Sequence, residues 1–102
     1  MRENQTPTVQ LLDEAAWERG EIAIIGRPVP LDEWLGKLRE WEMQLSVPPL
    51  SRITGGPYDG GHVLMATGDT RLYFAVPVTA LPSLRNWLTE REYDGLLRRI
   101  GR

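Results

Sequence analysis

A histidine, a tyrosine and a carboxylate lie close together in the sequence, and they are the side chains best suited to chemistry. His62 is the only histidine of the chain, and Tyr58 and Asp59 shortly precede it. A histidine can act as a general base, and a neighbouring carboxylate or phenol can orient its ring. His62 is therefore a weak catalytic candidate, and its position is more typical of a partly exposed histidine at the start of an edge strand.

The composition excludes several kinds of site. The chain has no cysteine, which excludes disulfides, thiolate zinc sites and cysteine nucleophiles. One histidine without cysteine provides too few ligands for an ordinary zinc site, so we expect no metal. The glycine-rich residues 55–61 lead into a strand rather than a helix and lack a Walker lysine, so we expect neither a nucleotide nor another cofactor.

The charge distribution does not favour nucleic acid. The formal net charge is −2, which gives no electrostatic reason to expect DNA, RNA or an anionic membrane. Residues 88–92, Leu-Thr-Glu-Arg-Glu, resemble the opening helix of LuxR-type DNA-binding domains over a short segment. That resemblance implies DNA binding, but the sequence ends before a recognition helix could follow. We therefore do not expect nucleic acid as the partner.

A β-hairpin over residues 62–76 should position the candidate side chains. Gly68-Asp69 separates two runs rich in β-branched and aromatic residues, which indicates a two-residue turn. Such a turn places Met65 opposite Leu72. Since side chains alternate between faces, the predicted core face consists of Val63, Met65, Leu72, Phe74 and Val76. The predicted outer face consists of His62, Leu64, Ala66, Arg71, Tyr73 and Ala75.

Hydrophobic spacing and turn residues predict the other elements. They are a helix over 7–19 opened by Thr6-Pro7, a strand over 21–26, a helix over 31–45, a loop over 46–61, and helices over 79–88 and 90–100. Residues 1–6 should fray. The strand should pair with the hairpin, and helix 31–45, carrying Trp34 and Trp41, should cover the apolar face. The prediction is one α+β domain over 7–102, in the order α-β-α-β-β-α-α, with about three antiparallel strands packed by helices.

A protein partner is the leading functional expectation. Loop 46–61 is longer than most connections in compact domains, and long loops often bind partners. We expect a small non-enzymatic protein-binding module of the inhibitor, immunity, adaptor or phage-modulator type, acting through loop 46–61 and the outer hairpin face. The partner's identity is not predicted. The expected contact residues are Arg52, Tyr58, Asp59, His62, Leu64, Arg71 and Tyr73.

Two alternatives stay open. One is a small enzyme or ligand-binding domain with a pocket between loop 46–61 and the sheet, using His62. The other is a homodimer joined through a strand edge or through the face carrying Leu64 and Tyr73. No apolar run reaches the ~18 residues of a membrane span, so a cytoplasmic protein is expected.

Overall fold

The computed structural model describes residues 7–80 and positions 82, 84 and 98. Its elements are β1 (Thr8–Leu11), α1 (Glu14–Glu18), β2 (Val29–Pro30), α2 (Leu31–Glu40), β3 (Gln44–Ser46), β4 (His62–Thr67), β5 (Arg71–Val76) and a 3-10 turn (Val78–Ala80). The strands form a five-stranded antiparallel sheet in the order β2-β1-β5-β4-β3. The α+β class and compact single domain are confirmed, but the sheet has five strands rather than three. Residues 1–6, and nearly all of the predicted helices 79–88 and 90–100, lie outside the described residues.

The described chain begins with a strand where a helix over 7–19 was predicted. In β1, Val9 pairs with Val29 of β2, and Leu11 pairs with Phe74 of β5. The helix is confined to the five residues of α1. Pro7 is not a first helical residue, since its carbonyl accepts a hydrogen bond from the Leu31 N–H. Strand pairing on both edges outweighs the helical spacing, because propensity is a weak prior against tertiary context.

The predicted inner strand over 21–26 is instead a short segment at the outer margin of the sheet. It forms one bridge, between Ile24 and Leu12, and does not pair with the hairpin. The place beside β5 belongs to β1. The apolar residues of this segment are therefore exposed rather than covered on both sides. The predicted pairing of this segment with the hairpin was wrong because continuous apolar runs do not identify their pairing partner.

Helix α2 ends at Glu40, earlier than the predicted residue 45. Glu42 has a positive φ of 57°, and its N–H donates to the Arg39 carbonyl. The Met43 N–H donates to the Leu38 carbonyl. These two bonds form a Schellman motif, which closes the helix and directs the chain into β3. The sequence did not indicate this end because glutamate, not glycine, occupies the left-handed position.

The hairpin is present, but its register differs by one residue from the prediction. Met65 lies opposite Tyr73 rather than Leu72, and Leu64 lies opposite Phe74. The last pair is Thr67 with Arg71, which leaves residues 68–70 as a three-residue loop. One added loop residue inverts the faces of β4 relative to β5. The face towards α2 consists of Leu64, Ala66, Leu72, Phe74 and Val76.

Both faces of the sheet are covered. On one face α2 packs its apolar stripe, including Trp34 and Leu38, against the hairpin and β1. The helix packs on the hairpin as predicted, but on the β4 face that carries Leu64 rather than Met65, and Trp41 is half exposed instead of buried. On the other face a smaller cluster forms from Leu12, Ile53, Tyr58, Val63, Tyr73 and Ala75. Loop 46–61 contributes two of these side chains and therefore belongs to the packed structure.

Candidate functional site

Tyr58 anchors loop 46–61 to the sheet. Its ring is buried in the second cluster, beside Val63 and Tyr73. Its hydroxyl donates to two acceptors, the Thr8 carbonyl at 3.3 Å and the Gln10 Oε1 at 3.1 Å. Tyr58 therefore supports the loop from beneath and does not present its ring to a partner, contrary to its predicted role as a contact residue.

The turn around residues 55–61 is closed by its own hydrogen bonds. The Asp59 carboxylate accepts a 2.6 Å bond from the Gly55 N–H, so this predicted contact residue has a structural role. The Ile53 N–H donates to the Gly61 carbonyl, and the Gly61 N–H donates to the Tyr58 carbonyl. A side chain at Gly61 would overlap the Val76 carbonyl oxygen. Gly61 thus permits close packing against β5, and Gly55, Gly56 and Gly60 adopt the positive φ that glycine allows.

His62 is paired with a serine rather than with Asp59. The Ser51 Oγ and the His62 Nδ1 lie 3.3 Å apart. The backbones of Arg52 and His62 form an isolated antiparallel β-bridge. Partial burial lowers the pKa of His62, and the nearby Arg52 charge lowers this pKa further. The ring therefore takes up a proton less readily than a free histidine.

The Ser51–His62 pair contains the groups of a nucleophile and its base, but its geometry is structural. Ser51 is only 6% exposed, so its hydroxyl is poorly placed to meet an incoming substrate. Its backbone carbonyl also accepts a hydrogen bond from the Val63 N–H at 2.8 Å. The pair therefore joins the loop to the start of β4. His62, Tyr58 and Asp59, which the sequence grouped, take part in three separate contacts.

The outer hairpin face does not form one surface. Leu64 packs in the α2 cluster and Tyr73 in the opposite cluster, and both are buried. Of the four hairpin residues expected to contact a partner, Arg71 is exposed, His62 is half-buried, and Leu64 and Tyr73 are buried. A hydrogen bond with Tyr73 raises the pKa of Arg71, with a smaller contribution from the charges of Glu14 and Glu18.

Leu50 is the exposed loop residue that sequence reasoning missed. Its side chain is 94% exposed, and its backbone has a positive φ of 57°. It follows Pro48-Pro49 and precedes the buried Ser51, so the chain is restrained on both sides. Arg52, which the sequence did nominate, is also exposed. The available signal was an apolar residue that belongs to no helical or strand stripe.

A pocket of about 330 Å³ lies at the hairpin loop, at the other end of β4 from His62. Its walls are formed by Trp41, Met43, Asp69, Thr70 and Leu72. Trp41 is 52% exposed, and the Lys37 Nζ lies 5.9 Å from the centroid of its ring. This pocket is not the one predicted between loop 46–61 and the sheet, and His62 takes no part in it.

Within residues 7–80 and the three further described positions, no group of three or more His, Asp or Glu side chains could hold a metal ion. In the same part of the chain, no helix has both the length and the apolar composition to cross a bilayer. Comparisons with protein-family models, curated proteins and solved structures found no significant match.

Proposed function

We propose that this protein is a small protein-binding module that engages its partner through Leu50 and Arg52 of loop 46–61. The observation that carries the proposal is the nearly complete exposure of Leu50 on a left-handed backbone. Burying a leucine side chain contributes about 1.5–3 kcal/mol, and a left-handed backbone costs an L-residue roughly 1–2 kcal/mol. Leu50 lacks the stabilisation that burial would provide and also bears the cost of the left-handed backbone. Burial of its side chain in an apolar pocket of a partner would offset both costs.

The loop is suited to binding because its ends are already fixed. Ser51 is buried and bonded to His62, and Tyr58 is bonded to β1. A loop that is ordered before association loses less conformational freedom on binding, which favours affinity. Arg52 adds exposed donors beside the apolar side chain, and arginine is enriched among residues that dominate interface energies. The outer hairpin face is not included, because Leu64 and Tyr73 are buried.

The class of partner follows from these chemical features. An apolar side chain beside a guanidinium fits a protein surface with a small apolar pocket rimmed by carboxylates. We propose the inhibitor, immunity, adaptor or phage-modulator group as the class of function. A cytoplasmic location is part of the same proposal and is supported by the sequence alone.

The test uses matched glycine variants. Tagged wild type, Leu50→Gly, Arg52→Ala and Glu42→Gly are incubated with lysate of the source cells, and retained proteins are quantified by mass spectrometry. Glu42 is the matched control because it is also exposed with a φ of 57°, but it lies at the end of α2. A partner should be retained by wild type and by Glu42→Gly, and should bind Leu50→Gly at least roughly tenfold more weakly. Equal retention by Leu50→Gly would remove this loop from the interface.

A second candidate function is small-molecule binding in the pocket beside Trp41. Its volume of about 330 Å³ falls in the range of ligand sites. Met43 and Leu72 supply apolar walls, and Asp69 and Thr70 supply polar groups. A fragment library screened by NMR should give shifts at these residues. Hits that persist in Trp41→Ala would show that this pocket is not where they bind.

A further inference from the structure

An isoleucine-rich segment, residues 22–25, lies at the outer margin of the sheet and, among the described residues, pairs on one side only. The Asp13 N–H donates to the Ala23 carbonyl at 2.8 Å, and the Ile25 N–H donates to the Leu11 carbonyl at 2.9 Å. In an antiparallel pair these bonds flank a non-hydrogen-bonded pair, here Leu12 with Ile24. The N–H and carbonyl of Ile24 therefore point away from β1, and no backbone group in the described part of the chain bonds to them.

The side chains of this segment are also exposed. Ile22, Ile24 and Ile25 are 43%, 37% and 60% exposed. Proteins usually protect a free sheet edge with charged residues, proline or a bulge. Residues 22–25, Ile-Ala-Ile-Ile, contain neither charge nor proline. The segment therefore has the backbone and side-chain character of a strand that another strand completes.

We propose that the strand completing this edge is the same segment of a second copy, paired antiparallel about a twofold axis at Ile24. In this register Ile24 and the partner's Ile24 exchange two backbone hydrogen bonds, and Ala23 lies opposite the partner's Ile25. Ile22 lies opposite the partner's Gly26, which has no side chain to obstruct it. The Gly26 N–H donates to the Leu11 carbonyl and the Gly26 carbonyl accepts from the Gln10 Nε2, so the backbone hydrogen bonds between the two copies are those of Ile24. Glu21 lies opposite the partner's Arg27. Because the axis is twofold, every one of these pairs except the central one occurs twice.

Charge and backbone direction together select this register. Only residues whose backbone groups point outward can sit on the axis as a hydrogen-bonded pair, so the register moves in steps of two. An axis at Ile22 would set Arg19 against the partner's Ile25. An axis at Gly26 is excluded because its N–H donates to the Leu11 carbonyl and its carbonyl accepts from the Gln10 Nε2. That axis would also set Ile24 against the partner's Pro28, which has no N–H to donate. The register at Ile24 alone matches apolar with apolar residues and acidic with basic ones.

The expected dimer is weak, because a single short edge buries less surface than most stable interfaces. Its charges should set the register more than the affinity. This inference does not depend on the proposed function, because loop 46–61 contributes no residue to the edge. Loss of the dimer and loss of a partner at Leu50 are therefore separate outcomes.

The central experiment is sedimentation velocity over the micromolar to millimolar range with wild type and Ile24→Pro. Proline removes the outward N–H and a side chain at the axis, but it breaks no hydrogen bond of the chain with itself, because that N–H has no backbone partner in the described part. Wild type should dimerise, and Ile24→Pro should remain monomeric with the circular dichroism spectrum of wild type. A wild type that is monomeric throughout, or an Ile24→Pro variant that dimerises equally, would overturn the proposal.

Charge reversal tests the register without relying on proline. Glu21→Arg and Arg27→Glu should each lower the association constant roughly threefold to tenfold, because like charges then face each other on both sides of the axis. The double variant should restore the wild-type constant. Arg19→Ala is the control, since Arg19 pairs with Glu21 within the chain at 3.2 Å. A double variant as weak as the singles would overturn the Ile24 register.

Discussion

The indole ring of Trp34 meets the ring of Phe74 edge-on, with centroids 5.2 Å apart and planes inclined at 64°. Both side chains are buried, and their contact joins α2 to the central strand β5. Edge-to-face contacts between aromatic rings are favourable beyond the area they bury. The contact is therefore a main link between the helix and the sheet.

Trp34→Ala should lower the free energy of unfolding by about 3–5 kcal/mol, the usual range for a large buried aromatic residue. Trp34→Phe should cost well under that loss. The indole Nε1–H is buried without a hydrogen-bond partner among the described residues, and phenylalanine removes that unsatisfied donor. Urea melts measure the free energy of unfolding of both Trp34 variants. Trp41→Ala is the control because Trp41 is half exposed. A Trp34→Ala melt like that of wild type would contradict the assigned packing.

Glu42→Gly and Leu50→Gly should each raise the free energy of unfolding by roughly 0.5–1 kcal/mol. Glycine removes the cost of about 1–2 kcal/mol that an L-residue bears in a left-handed backbone. It also loses about 0.5–1 kcal/mol more conformational entropy on folding, which reduces the gain. Both positions have a φ of 57° and exposed side chains. Thermal melts of the two variants check the gain. A loss of stability in Leu50→Gly would mean that its side chain already packs within the chain.

Gly61→Ala should lower the free energy of unfolding by about 1–3 kcal/mol, the usual range for overpacking. The added methyl group would overlap the Val76 carbonyl oxygen, which cannot move without disturbing β5. Gly36→Ala is the matched control, since Gly36 lies in α2 with open space around it. That change should stabilise the protein by about 0.5–1 kcal/mol. Equal effects of the two substitutions in urea melts would contradict the close approach at Gly61.

Tyr58→Phe should lower the free energy of unfolding by about 0.5–1.5 kcal/mol, because it removes the hydrogen bond to Thr8 and Gln10 while keeping the packed ring. Partner binding should not change, since the ring is buried beneath the loop. Chemical denaturation and the retention assay give the two readouts. A variant with normal stability and lost binding would restore Tyr58 as a contact residue.

His62 should make stability depend on pH. Its pKa in the folded protein lies below the ordinary value of 6.5, mainly because of burial, so the unfolded chain takes up the proton first as the pH falls. The contribution of neutral His62 to the free energy of unfolding is complete above pH 6.5. It declines as the pH drops through that value, until His62 is protonated in the folded state too. His62→Gln should remove this decline. Urea melts from about pH 8 to about pH 5 test it, and parallel profiles for the two proteins would exclude the effect.

The sequence alone specifies the elements whose type, helix or strand, does not depend on what they pack against. The run through Trp34 and Leu38 predicts an amphipathic helix wherever it packs, and that helix covers the hairpin as expected. The two strand-forming runs around Gly68 predict a hairpin on composition alone. These features rest on spacings of a few residues, which is the information that a sequence carries directly.

The tertiary structure decided register, strand order and exposure. Both faces of β4 are apolar and both are covered, so alternation could not show whether Leu64 or Met65 faces α2. One extra residue in the loop made that choice. Val9 lies in a strand because β2 and β5 pair with β1 on its two edges. Leu50 is exposed and Tyr58 buried because the loop folds back on the sheet, and contacts across such distances leave no periodic signal in the sequence.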